Sequence, residues 1–212
     1  MRFGTFSPTR EGRKDIRSMS LLADPLNDLG KMRYFTPELY LQINSSDDKL
    51  VERAQQRWEK AIVAYRKHVS AILTGMPSEL RDLANISLHD WELTRIVRHH
   101  DTATPSGSAD LPLWQSTAWI ALRQGDELVV LSYVLWDKVQ NVAAPKNWSF
   151  SKKRVHWLYD ELDRVGGQCD RLIHRVLLSN GVTLGIPFST CIVRRIKLQE
   201  VMPESELAEL AR

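Results

Sequence analysis

His89-Asp90 and His99-His100-Asp101 are the most suggestive pairing of residue types in the chain, because imidazoles and carboxylates are the donors that zinc, manganese or iron take. Their spacing argues against a shared ion. Metal sites place ligands on one helix face, as H-E-x-x-H does, or at strand ends, and no such motif occurs. If residues 91–98 form a strand rising about 3.3 Å per residue, the two groups stand on the order of 25 Å apart. No metal and no cofactor is therefore expected. His89 or Asp90 is read as a cap where helix gives way to sheet, and His99 to Asp101 as the opening of a polar loop.

The acids that could be tuned for proton transfer are Asp160, Glu161 and Asp163, which lie in an apolar segment able to raise a carboxylate pKa. His89, Asp90, Asp160 and Glu161 make the weak catalytic set, and a hydrolase would need those side chains to converge. His68 and His174 read as surface or satisfied core histidines, while His156, after Lys152-Lys153-Arg154, could assist an anion contact. Neither cysteine looks catalytic: no C-x-x-C occurs and Cys169 has no neighbouring base. No G-x-S-x-G, Walker A or G-x-G-x-x-G pattern is present.

For binding, the candidates are Lys152, Lys153, Arg154, Trp148, Trp157, Arg194 and Arg195. Five of the seven tryptophans fall between Trp114 and Trp157, enough to floor a flat platform, although a small sheet needs most of that area for its core. Trp148, in a polar stretch, is expected to be partly exposed. The net charge of +3 over 212 residues is too small to announce a nucleic-acid binder, but it is unevenly spread. Residues 1–31 carry +2, 32–145 carry −2, 146–197 carry +6 and 198–212 carry −3. No apolar run approaches the roughly 18 residues of a membrane span, and two cysteines exclude a disulfide scaffold. A soluble cytoplasmic protein with reduced thiols and no membrane partner is the expectation.

These residues must be held by a helical part and a sheet. Residues 1–31 lack periodicity and read as a disordered extension, with the working protein starting at or near Met32. Thr36 caps a short helix to about Asn44, with Pro37 at its first position. Ser45 or Ser46 then caps a long helix. Its stripe of Leu50, Ala54, Trp58, Ala61, Ile62, Tyr65, Val69 and Ile72 steps by threes and fours, and Gly75 ends it. A third helix covers Pro77 to about Ala84.

After Leu88 the period changes. Trp119–Leu122 and Leu128–Trp136 form a hairpin around residues 123–127, and a segment over Val155–Arg164 is extended. A second hairpin turns on Asn180-Gly181 as type I′, which pairs Ser179 with Val182, Leu177 with Leu184 and Arg175 with Ile186. That register puts Cys169 and Cys191 on opposite faces. Pro187 should mark an edge or bulge, and Ile192–Leu198 a separate last strand.

Met32-Arg33-Tyr34-Phe35-Thr36-Pro37-Glu38-Leu39-Tyr40 resembles the opening M-[KR]-Y-F-T-x-E-L-Y of an uncharacterised bacterial family, a domain of unknown function. Leu88-His89-Asp90, Trp157 to Glu161 and the Leu-Leu-Ser-Asn-Gly hairpin are similar to it too. The resemblance implies a long helix stepping into a sheet, a bacterial setting and no assigned activity. The fold class is α+β, with N-terminal helices, one of them long and amphipathic, packed on a mostly antiparallel sheet. A single domain spans 32–198, helical over 36–87 and sheet over 88–198, with an acidic tail at 199–212. The expected function is a non-catalytic protein, immunity-like or adaptor, that binds another macromolecule through its sheet face. Its alternatives are a hydrolase with an unrecognised His/Asp/Glu site, and a nucleic-acid binder using residues 146–197. The sequence leaves the oligomeric state open.

Overall fold

Thr36 opens the helical part as its residue type predicts: its Oγ1 accepts the Leu39 amide at 3.2 Å and Pro37 takes the first position of α1, Pro37–Ile43. The computed structural model describes residues 29–99, 116–150, 153–165 and 171–198. Helix α2 spans Asp48–Leu73 and is capped by Asp47, whose Oδ1 accepts from the Lys49 and Leu50 amides. The cap is thus not Ser45 or Ser46. A carboxylate suits the positive helix end better, and Ser45 instead accepts the Asp47 amide one step earlier. Gly75, at φ +79°, lies just past the end of α2, and α3 follows over Ser78–Asn85.

Among the described residues seven strands make one antiparallel sheet: β1 (Glu92–His99), β2 (Ser116–Gln124), β3 (Glu127–Leu135), β4 (Gln140–Val142), β5 (Trp157–Arg164), β6 (Leu172–Leu178) and β7 (Thr183–Lys197). Their order is β1-β2-β3-β7-β6-β5, with β4 on β7. Strand β7 makes this possible by its length. Its first half pairs with β6 and its second with β3, so the separate last strand expected at Ile192 is the continuation of one element. The ladder with β3 slips between Val134 and Leu135, beside Ser189, where Pro187 had suggested a bulge nearby.

The sheet curls until its ends meet. Asp90 donates to Trp157 O at 2.8 Å, Trp157 to Trp91 O at 2.9 Å and Leu93 to Val155 O at 2.7 Å, which ties the start of β1 to the start of β5. Inside the curl lies the main core, with Ile120, Leu131, Trp157, Ile186 and Phe188 from the strands and Leu80 and Leu83 from α3. A second cluster sits outside β5 and β6. There Trp58, Ala61, Ile62 and Tyr65 of the α2 stripe pack on Phe35, Trp148, Leu158 and Leu177. The α+β architecture with a long helix on an antiparallel sheet is therefore the observed one.

Two further expectations need correction. The Asn180-Gly181 turn does not pair Ser179 with Val182. Leu178 N–H donates to Val182 O, Leu177 stands opposite Thr183, Val176 opposite Leu184 and Arg175 opposite Gly185. Gly181 has φ +82° while Asn180 is not in the left-handed region, so the loop is a three-residue turn with glycine at its bulge. One residue of slip exchanges the faces. It sends His174 inward and Arg175 outward. The second correction concerns the extension. Leu29 is fully buried, its carbonyl accepts from Arg175 Nε at 3.1 Å, and Gly30 lies so close to Gly185 that a β-carbon on the latter would stand 2.7 Å from the Gly30 Cα. Residues 29–31 thus belong to the fold. Residues 1–28, the loop around His100 and Asp101, Trp114, Gly166-Gly167, Cys169 and the 199–212 tail lie outside the described residues.

Candidate functional site

The four acids and histidines nominated for catalysis are held by three separate sets of partners. His89 and Asp90 form the turn that joins helix to sheet. Trp91 N–H closes it on Leu88 O, Asp90 takes φ +64°, and His89 Nδ1 bonds Leu158 O while its ring stacks on Tyr159 at 5.0 Å. Their mutual contact, His89 Nε2 to Asp90 Oδ2, is 3.4 Å and exposed. Asp160 is half-buried and turns towards the inside of the curl. Its Oδ2 accepts from His174 Nε2 at 3.0 Å and its Oδ1 from Trp157 Nε1 at 3.0 Å, and on the other side of the ring Tyr133 Oη donates to His174 Nδ1 at 2.8 Å. Cys191 bonds Tyr133 in turn, and burial pushes its thiol up to about 12.

Neighbouring Glu161 points to the opposite face, because side chains alternate along a strand. There it accepts three consecutive backbone amides, Arg33 at 2.8 Å, Tyr34 at 2.6 Å and Phe35 at 2.7 Å. Burial raises its pKa against those hydrogen bonds. On the same face Asp163 takes Arg175 Nη1 at 2.9 Å, Arg33 Nη1 at 2.6 Å and His68 Nε2 at 3.0 Å. Burial alone would raise Asp163, but the Arg175 bond and charge, with Arg33, outweigh it and hold the carboxyl below its ordinary value. These groups pin the segment 29–35 onto the sheet. Among the described residues no three His, Cys, Asp or Glu side chains gather as metal ligands.

The binding residues named from the sequence also separate. Trp157 is fully buried in the curl and Trp148 is 8% exposed, with its Nε1 bonded to Ser179 O and its ring over Gly181. Neither is a free platform, and the polar neighbours of Trp148 in sequence misled because the hairpin folds under it. Lys153 and Arg154 line an open groove of about 490 Å³ with His156, Ser179, Tyr40 and Phe150; Lys152 lies outside the described residues. The groove has cations beside two aromatic rings, a lining able to hold an anion. Arg194 and Arg195 are adjacent on β7 and so face opposite ways. Arg195 turns with Val193 towards Asp82 and Ile86 of the α3 side, while Arg194 turns outward.

Of the residues that outward face presents, Arg194 alone was named from the sequence as a binding candidate. Four strands contribute four cross-strand rows, read from β1 to β7: His99, Thr117, Val134 and Thr190; Val97, Trp119, Ser132 and Ile192; Arg95, Ala121, Val130 and Arg194; and Glu92, Arg123, Leu128 and Ile196. Trp119 is 49% exposed, Ile192 45% and Ile196 40%, three of the four most exposed large apolar side chains among the described residues. Elements cover the outside of β5 and β6, yet no described element covers this one. The readable signal was apolarity at both parities of Leu128–Leu135, which suits a strand covered on both faces. From strand and residue spacings the platform measures about 20 by 25 Å, or about 500 Å². Eight of its sixteen side chains are apolar, and exposed apolar side chains set among polar ones mark interaction sites.

Comparison with protein-family models, with curated proteins and with solved structures finds no match to this chain. Among the described residues no helix is long and apolar enough to cross a membrane.

Proposed function

We propose that this chain is a non-catalytic binding protein whose bare sheet face docks an acidic protein, in the manner of an immunity or adaptor protein of the bacterial cytoplasm. The observation that carries this reading is the outward face of β1, β2, β3 and β7. A Trp119–Ile192–Ile196 surface is bordered by Arg95, Arg123 and Arg194, with Glu92 the one acid in the four rows. Aromatic and arginine side chains at the centre of a patch are the usual anchors of protein interfaces. About 500 Å² suits the core of a partner surface whose rim brings it to the ordinary 800 Å² or so. A nucleic-acid surface fits less well, since the +6 block divides between opposite sheet faces and a separate groove instead of forming one stripe. A hydrolase site built on His89, Asp90, Asp160 and Glu161 lacks convergence of its own residues.

The test uses the full chain and a Trp119→Ser, Ile192→Ser, Arg194→Glu variant, all three changes being outward. Proteins retained from a lysate of the native host by the wild type but not by the variant are purified and titrated by calorimetry. The expected result is an acidic protein binding at least tenfold more tightly to the wild type, with affinity falling as salt rises. Equal affinity for the variant, or recovery of nucleic acid alone, overturns the reading.

A further inference from the structure

We propose that the groove at the start of β5 holds a nucleoside phosphate, with its base against the rings of Tyr40 and Phe150 and its phosphate on Lys153 and Arg154. The proposal stands apart from the docking reading, because none of the six residues lining this groove belongs to the bare sheet face. The site is assembled from three places far apart in the chain. Tyr40 comes from α1, Ser179 from the turn after β6, and Phe150, Lys153, Arg154 and His156 from the connection into β5. Two sets of contacts hold these pieces together. His156 N–H donates to Ser179 Oγ and Ser179 N–H to His156 O, both at 2.8 Å, which locks the connection onto the hairpin turn. Tyr40 stacks on Trp148 at 5.4 Å and meets the Phe150 ring edge-on at 5.1 Å, while Trp148 Nε1 is anchored on Ser179 O. Rings and polar groups are therefore in place before a ligand arrives, which removes part of the ordering cost of binding.

Each wall answers to a different part of the ligand. Among the described residues the exposed Arg154 guanidinium pairs only with Glu92, at 3.9 Å, which is beyond hydrogen-bond distance. A planar guanidinium in that state can take phosphate oxygens in pairs, and Lys153 adds a second positive charge. Ser179 Oγ reaches Arg154 O only at 3.4 Å, so its proton can turn to a closer acceptor. Phe150 is also a wall of a second groove of about 460 Å³, where Asn147 and Ser149 are exposed. An amide and a hydroxyl supply the donors and acceptors that the edge of a base needs. Inorganic phosphate would use the cations alone and an apolar ligand the rings alone. A nucleoside phosphate uses both, together with the polar groove beyond Phe150. The volume of about 490 Å³ lies within the roughly 300–1,000 Å³ usual for small-molecule sites. Stacking a base on an aromatic side chain raises affinity roughly five- to hundredfold.

The test titrates the full chain by calorimetry with adenosine, guanosine, cytidine and uridine monophosphates, and with their fragments, the four nucleosides and ribose 5-phosphate. At least one monophosphate should bind tenfold or more tightly than both its nucleoside and ribose 5-phosphate. Arg154→Glu should weaken that binding at least tenfold. Arg66→Glu, the same charge change at an exposed position of α2, should move it less than twofold. Circular dichroism would show both variants folded. Phe150→Leu keeps an apolar side chain in the cluster but removes the ring, and should cost the monophosphate at least fivefold without weakening ribose 5-phosphate. The comparison of fragments on the wild type tests the ring contact even where that variant fails to fold. No binding of any monophosphate at millimolar concentration, equal affinity for ribose 5-phosphate, or an equal loss in Arg66→Glu overturns the proposal. A short single-stranded RNA that binds more than tenfold tighter than every mononucleotide overturns it too, since the groove would then be one step of a nucleic-acid track.

Discussion

Replacing Glu161 by alanine should loosen the N-terminal segment more than its single carboxylate suggests. Three successive amides, of Arg33, Tyr34 and Phe35, end on its two oxygens at 2.6–2.8 Å. The Phe35 bond is buried, and an unpaired buried donor costs about 1–3 kcal/mol. The other two are partly buried and regain water in the variant, so each loses about 0.5–1.5 kcal/mol. The total is about 2–6 kcal/mol. For a chain of this length one kcal/mol moves Tm by roughly 2–4 °C, which puts the expected drop near 10 °C. Glu161→Gln keeps one acceptor oxygen and should lose about half as much. Thermal unfolding followed by circular dichroism measures both, and hydrogen exchange at residues 33–35 shows whether the loss is local. The pH dependence gives a second reading, because two acids on one strand should act with opposite sign. Asp163 is held below its ordinary value, so its contribution is present above about pH 4 and is lost as pH falls through the folded value. Glu161 is raised by burial, so the folded state binds its proton more tightly than the unfolded chain, and the wild type gains relative to Glu161→Gln as pH falls from neutral. An alanine variant that melts within 1 °C of the wild type, with residues 33–35 still protected from exchange, would falsify this account of the carboxylate.

Tyr133→Phe leaves His174 Nδ1 without its donor inside the core, and differential scanning calorimetry should show a loss of about 1–3 kcal/mol with no change in sheet content. The Cys191 thiol is fully buried and pushed up to about 12, so an Ala substituted for Cys169 should leave a native protein that does not react with a disulfide reagent at pH 8 until denaturant is added. Rapid labelling without denaturant would show the curl to be open. A β-carbon at Gly185 would stand 2.6 Å from Leu29 O and 2.7 Å from Gly30 Cα, backbone atoms that cannot swing aside. Gly185→Ala should therefore expose the Leu29–Lys31 amides to exchange and lower Tm, whereas Gly125→Ala, with open space around it, should act only through its positive φ.

The parts of this fold that local chemistry dictates could be read from the chain. Thr36-Pro37 makes a helix start wherever it stands, and the stripe from Leu50 to Ile72 needs an apolar surface beside it. What failed was decided by partners distant in sequence. Asn180-Gly181 serves equally as a two-residue turn or as part of a three-residue one, and the choice depends on which register buries His174 with Tyr133 and Trp157. Leu29 and Gly30 carry no periodicity because they are held by Arg175 and Gly185, roughly 150 residues on in the chain. Trp148 reads as polar-flanked because Gly181 and Tyr40, which enclose it, are far away in sequence.

The same reasoning explains why Trp119 and Ile192 were not named as binding residues while the acids were named as candidate catalysts. Asp160, Glu161 and Asp163 sit in an apolar strand, which marks them as unusual, and each turns out to be satisfied: by Trp157 and His174, by three amides, and by two arginines and a histidine. A carboxylate whose oxygens are held by partners inside the protein stabilises the fold and is oriented towards those partners, not towards a substrate. Trp119 and Ile192 are ordinary in sequence, since alternating strands of a curled sheet are expected to be apolar. They become informative only when the cross-strand rows place them on the side that α1, α2 and segment 29–35 leave uncovered. Burying the exposed half of Trp119 would remove on the order of 100 Å² of apolar surface from water, about 2.5 kcal/mol of driving force beyond what its edge contact with His99 already gives the sheet. Among the described residues the buried acids have their partners inside the fold, while this face keeps Trp119, Ile192 and Ile196 exposed, so binding energy is still to be gained there.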